Sequence, residues 1–136
     1  MKTALLLGLL FLSACSSSTF YSLPALPFSI EVPRSTGYLE SSSTVIFSPK
    51  VGPATLVFEK EPTDLAFFEL FEGGYEELTS KSSGVWVICE EEKWDNCYVQ
   101  NMDFSELYPL HIRSDETLTE EEKNEVVGVL NTLRKD

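Results

Sequence analysis

Few residue types in this chain could do chemistry. It has one histidine, His111, and three cysteines, Cys15, Cys89 and Cys97. A Ser–His or Cys–His nucleophile would need His111 as its base. No Gly-x-Ser-x-Gly turn is present, and His111 lies opposite in phase to Leu110 and Ile112, so it reads as an exposed strand residue. Cys89 and Cys97 have no other cysteine or histidine close in sequence, which falls short of a zinc ligand set. There is no Asp-x-Asp-x-Asp-Gly run for calcium. The chain carries 22 acidic residues, so a chance pairing of carboxylates between Glu59 and Glu77 has no weight as a hydrolytic site. No catalytic residue, metal ligand or cofactor is assigned. One cluster suggests recognition instead. Glu90, Glu91, Glu92 and Asp95 surround Lys93 and Trp94, and an exposed tryptophan in a charged tip is a typical interface anchor.

The third cysteine has its own context. Met1-Lys2 is followed by an apolar run from Ala4 to Leu12, then Ser13, Ala14 and Cys15. A positive start, an apolar stretch and small residues before a cut make a signal peptide. The run is too short for a membrane span, which needs roughly 20 apolar residues. The stretch Leu12-Ser13-Ala14-Cys15 resembles the lipobox of bacterial lipoproteins. That resemblance implies cleavage before Cys15 and acyl chains on its thiol and new amine. It also implies retention at a membrane without a transmembrane helix, because two acyl chains suffice for stable anchoring. Ser16, where an Asp would signal inner-membrane retention, implies the periplasmic face of the outer membrane if the cell is Gram-negative.

Lipid on Cys15 leaves an even pair, and an exported chain meets an oxidising compartment, so Cys89 and Cys97 are expected to form a disulfide. The flanking residues agree. If Cys89 faces Cys97 across an antiparallel hairpin, Val87 faces Val99 and Val85 faces Asn101, while Ile88 meets Tyr98 and Trp86 meets Gln100 on the other face. A bonded pair would pre-order the acidic tip between them.

These residues need a scaffold. Removing 14 residues from 136 leaves 122, one domain's worth. The formal charge of −12 becomes one unit more negative once Lys2 is lost, and such a surface repels nucleic acid and anionic lipid. Residues 15–27, rich in Ser and Pro, read as a tether, with Leu26 packing on the domain that occupies 28–136. Phe28–Val32 alternates as a half-buried strand ended by Pro33. Thr36–Glu40 reads as a short strand or turn. Thr44–Ser48, closed by Pro49, and Ala54–Lys60 read as a hairpin. Asp64–Phe71 fits a strand better than a capped helix, with Tyr75–Ser80 returning after Gly73-Gly74. Gly84–Glu90 and Asn96–Met102 are the strongest strand pair. Asp103–Pro109 reads as a turn or a single helical turn, and Leu110–Arg113 as the last strand.

Thr119 and Glu122 form a capping box that opens a helix reaching Arg134, with Val126, Val127, Leu130 and Leu133 on one stripe. Gly128 is a point of close approach to a sheet. Strands followed by one helix predict an α+β fold, an antiparallel sheet of about six to eight strands with a C-terminal helix on one face. The element order is similar to that of PsbP-like domains; the similarity carries no site residues. The expected function is a lipid-anchored envelope protein that binds or scaffolds another envelope protein, with no nucleic-acid partner. An immunity-type inhibitor of a basic toxin or hydrolase is the second expectation, since complementary charge speeds capture.

Overall fold

A computed structural model describes residues 18–34, 36–51, 54–63, 74–79, 84–101 and 106–136. The leader, Cys15, and the segments 64–73, 80–83 and 102–105 therefore lie outside the described residues, and with them the strand expected at Asp64–Phe71.

Ten strands and one helix are described: β1 Ser18–Ser22, β2 Phe28–Pro33, β3 Tyr38–Glu40, β4 Thr44–Val51, β5 Ala54–Glu59, β6 Tyr75–Glu77, β7 Val85–Glu90, β8 Lys93–Asn101, β9 Leu107–Arg113, α1 Glu120–Leu130 and β10 Arg134–Lys135. A small sheet runs β1-β2-β10 and a large one β3-β4-β5-β9-β8-β7-β6. Every pairing is antiparallel. The fold is α+β, as expected. The strands are divided between two sheets, which single-strand patterns do not reveal.

Alternation explains the packing. Val45 and Phe47 of β4, Leu56 and Phe58 of β5, Leu110 and Ile112 of β9, Val99 of β8 and Val87 of β7 all point to one face and are buried. Phe28, Ile30 and Val32 of β2 face them from the small sheet, with the Phe28 ring 6.0 Å from Phe58 and 5.8 Å from Tyr108. Helix α1 lies against β2 and β4, burying Val126 and Leu130. The opposite face of the large sheet holds a separate cluster of Trp86, Ile88 and Leu107.

The β7–β8 register matches the expectation pair by pair, from Val85↔Asn101 to Cys89↔Cys97. Cys89 and Cys97 lie at disulfide distance, with Cα atoms 4.0 Å apart on the buried face. The Thr119 capping box is complete.

Several expectations are corrected. Ser18–Pro27 is part of the domain: β1 pairs along β2, and Leu23 and Leu26 are buried. Its serines hid a period-two strand, in which Thr19 and Tyr21 pair beside Val32 and Ile30 while Ser18, Phe20 and Ser22 are exposed. Pro49 does not close β4. The β4–β5 register shifts between Phe47 and Val51, and a proline is tolerated at such an irregularity. Likewise β9 starts at Leu107 and includes Pro109, which falls where the ladder to β5, covering Leu110–Arg113, has stopped and its missing N–H costs least. Helix α1 ends at Leu130 with Asn131 as its cap, and Arg134 and Lys135 continue as β10, pairing Ser29 and Phe28 of β2. Leu110–Arg113 is thus not the last strand, and no basic residue sits in the final helical turn. Gly128 is exposed, and a Cβ there would meet nothing within 4 Å, so it marks no close approach.

Candidate functional site

The acidic tip is the turn between β7 and β8. Glu90 pairs Lys93 across it. Glu92 takes a left-handed φ of 64°, which favours glycine. Glu91 and Glu92 are exposed, whereas Glu90 is partly buried: its carboxylate accepts from Asn96 Nδ2 at 2.8 Å and lies 3.9 Å from Lys93 Nζ. The same Asn96 amide donates to the Tyr75 hydroxyl at 2.8 Å. Burial, then the neighbouring Tyr98 and Glu90, raise the Tyr75 pKa and keep its phenol neutral.

Trp94 is not the free anchor expected from the sequence. It is half-buried against the core, its Nε1 donates to Glu76 Oε1 at 3.3 Å, and Lys123 Nζ of α1 sits 5.6 Å from the ring centroid. That distance is within reach of a cation–π attraction. The indole therefore ties the hairpin to the start of the helix. The reason is tertiary: the helix that covers it lies almost thirty residues later in the chain.

Asp95 has an exposed side chain, and its carbonyl accepts from His111 Nδ1 at 2.6 Å. A carbonyl can only accept, so Nδ1 bears the proton. The other ring nitrogen, Nε2, meets Glu59 Oε2 at 2.7 Å. His111 is thus a partly buried clasp across three strands, β8, β9 and β5, rather than an exposed residue. No nucleophile is hydrogen-bonded to it, since both nitrogens are occupied by these partners.

The tip forms one wall of a groove of about 880 Å³. Glu92, Lys93, Trp94 and Asp95 line it on one side, residues 112–118 on the other, and Lys123 of α1 closes it. Such a volume is in the range of ligand pockets. Three cations, Lys93, Arg113 and Lys123, face it in a chain with ten, beside Glu92, Asp95, Asp115 and Glu116. Trp94 and Lys123 also line a smaller groove of about 320 Å³ with Glu76, Glu77 and Asn124, so they form the ridge between the two.

The sequence reading located one wall. Arg113, the Ser114–Leu118 loop and Lys123 were missed. The only signal available was that three of the scarce cations flank the strand ends and the helix start, and spacing alone could not bring them together. Among the described residues, no group of His, Cys, Asp or Glu has metal-site geometry, and no helix is long and apolar enough to cross a membrane. No protein-family model matches this chain, and no curated protein or solved structure matches it either.

Proposed function

We propose that this chain is a bacterial lipoprotein, held at the envelope by acyl chains on Cys15, that binds another envelope protein through the groove beside the Trp94 hairpin. The lipobox supports the anchor. The groove carries the binding reading: it is walled by exposed charged side chains of both signs, and a half-buried tryptophan forms its ridge. Mixed charge with an aromatic ridge suits an extended polypeptide segment of a partner, whose own charges can be paired along the groove and whose apolar side chains can lie on the indole.

The test is photo-crosslinking in cells from position Asp115, in the groove wall, with exposed Glu125 of α1 as control. One dominant envelope protein should crosslink at Asp115 and not at Glu125, and the charge reversals Lys93→Glu with Arg113→Glu should lower its yield at least tenfold. Equal, diffuse crosslinking at both positions would remove the groove as a docking site.

A further inference from the structure

His111 sits where β8 and β9 part. Their ladder runs from Gln100↔Leu107 to Cys97↔Leu110 and stops, although β8 reaches back to Lys93 and β9 runs on to Arg113. Past the end of that ladder stands the imidazole, with Nδ1 2.6 Å from the Asp95 carbonyl and Nε2 2.7 Å from Glu59 Oε2. The larger groove opens at the same place, between Lys93, Trp94 and Asp95 on one side and Ile112 and Arg113 on the other. The ring thus links the two strands that supply the groove walls, and ties both to β5.

Both partners of the ring are acceptors. A carbonyl oxygen has no proton to give, nor has an ionised carboxylate, and a neutral imidazole has a single N–H. The two contacts are hydrogen bonds together only when the pair holds a second proton, which rests on the imidazole because carboxylates are ordinarily the weaker bases. When that proton leaves, one contact becomes two facing lone pairs. A bond to a carboxylate is charge-assisted and about twice as strong as a neutral one. The ring therefore keeps Nε2–H for Glu59 and turns a lone pair toward the Asp95 carbonyl. Among the described residues, the other charged or titratable groups around the ring are few. β9 carries Arg113 two residues on, on the same face, which opposes the second proton. β8 carries Tyr98, paired with Pro109 on that face, and Asp95, whose exposed carboxylate favours the proton. On β5 the residue after Glu59, Lys60, is committed to Glu40 at 2.6 Å.

We infer that His111 and Glu59 form a proton-operated clasp: with two protons the ring ties the Trp94 hairpin to β5 and β9, and with one it releases that wall of the groove. The clasp is closed on the acid side of the ring's titration and open on the alkaline side. The groove therefore keeps its shape, and holds its partner, better at mildly acid pH. That last consequence rests on the groove being the docking site proposed above.

The test uses full-length protein in micelles, isotope-labelled at histidine alone, so that every ring signal comes from the single histidine, His111. Ring nitrogen shifts are followed by NMR from about pH 5 to about pH 8, on either side of the ordinary imidazole range. Amide exchange of residues 93–97, corrected for intrinsic rates, is followed beside it, with α1 as control. The imidazolium should give way to the Nε2–H tautomer, and hairpin exchange should rise at least threefold while that of α1 stays level. Glu59→Gln is the deciding variant. Its amide can donate to an unprotonated Nε2, so Nδ1–H stays on Asp95 and the hairpin should remain protected across the range. Partner crosslinking from Asp115 should fall at least threefold between the two pH extremes in the native chain and stay level in the variant. An Nδ1–H tautomer at high pH, or hairpin exchange unchanged while the ring titrates, would overturn the clasp. No crosslink at either pH, with ring and exchange results as expected, would overturn the docking site and leave the clasp standing.

Discussion

Tyr108 shows how one residue links burial to solution behaviour. Its side chain is closed off between the sheets, and its hydroxyl donates to Glu106 Oε2 at 2.7 Å. Burial, followed by the hydrogen bond to Glu106 and its charge, pushes the phenol up to about 12 from 10.0. Below pH 10 both folded and unfolded chains keep the proton. Between pH 10 and about 12 the unfolded chain loses it and the folded chain does not, so stability falls as pH rises through that window, by about 3 kcal/mol. Urea unfolding from pH 9 to 12 should show the decline, and Tyr108→Phe should make it shallower; an equally steep decline in the variant would assign the effect elsewhere. At this scale the sequence is legible where neighbours are local. The facing of Cys89 and Cys97 follows from the side chains flanking them, because a slip of one residue would turn the whole valine row to the other face. Trp94 and His111 were misjudged because their partners, Lys123, Glu76 and Glu59, arrive from distant parts of the chain.

Element boundaries divide in the same way. The start of α1 was readable because its cap is local: Thr119 Oγ1 accepts from the Glu122 amide at 3.2 Å, and Glu122 reaches back to the Thr119 amide at 2.9 Å. Its end was not, because β2 sets it. Thr132 Oγ1 accepts from the Glu31 amide at 2.9 Å and donates to the Val129 carbonyl at 2.6 Å, while the Asn131 amide closes the last turn on Val127. The threonine thus continues, by side chain, the row of contacts that β10 makes with β2 through Ser29 and Phe28. Thr132→Val keeps the shape and strands the Glu31 amide. It should cost about 1–2 kcal/mol in urea unfolding, the usual penalty for a lost partner of a partly buried donor. A cost below about 0.3 kcal/mol would show that water replaces the hydroxyl freely. The prolines misled for a related reason. Pro49 and Pro109 look like strand ends, yet each sits where a ladder has slipped or stopped, which only the pairing partner reveals.

For the whole molecule, the boundary between tether and domain lies earlier than composition implies. A chain beginning at Phe28 would lose β1, the buried Leu23 and Leu26, and Tyr21, which packs on Phe47 at 5.2 Å. Large-to-small losses in a core cost about 2–5 kcal/mol each, against a total stability of about 5–15 kcal/mol. A chain starting at Ser18 should therefore melt like the longer protein, whereas one starting at Phe28 should show no cooperative transition by circular dichroism. Similar melting of both would restore the segment to a mere spacer.

The placement of β2 between β1 and β10 has a consequence in time. The first described strand and the last lie on either side of it, and Asp136 bonds to Ser29 and Ser22 and, through its amide, to the Pro27 carbonyl at 3.2 Å. Synthesis delivers these partners more than a hundred residues apart, and contacts so distant in sequence form slowly. A chain still emerging from a ribosome can assemble the β7–β8 hairpin, yet its small sheet stays incomplete until Lys135 is free.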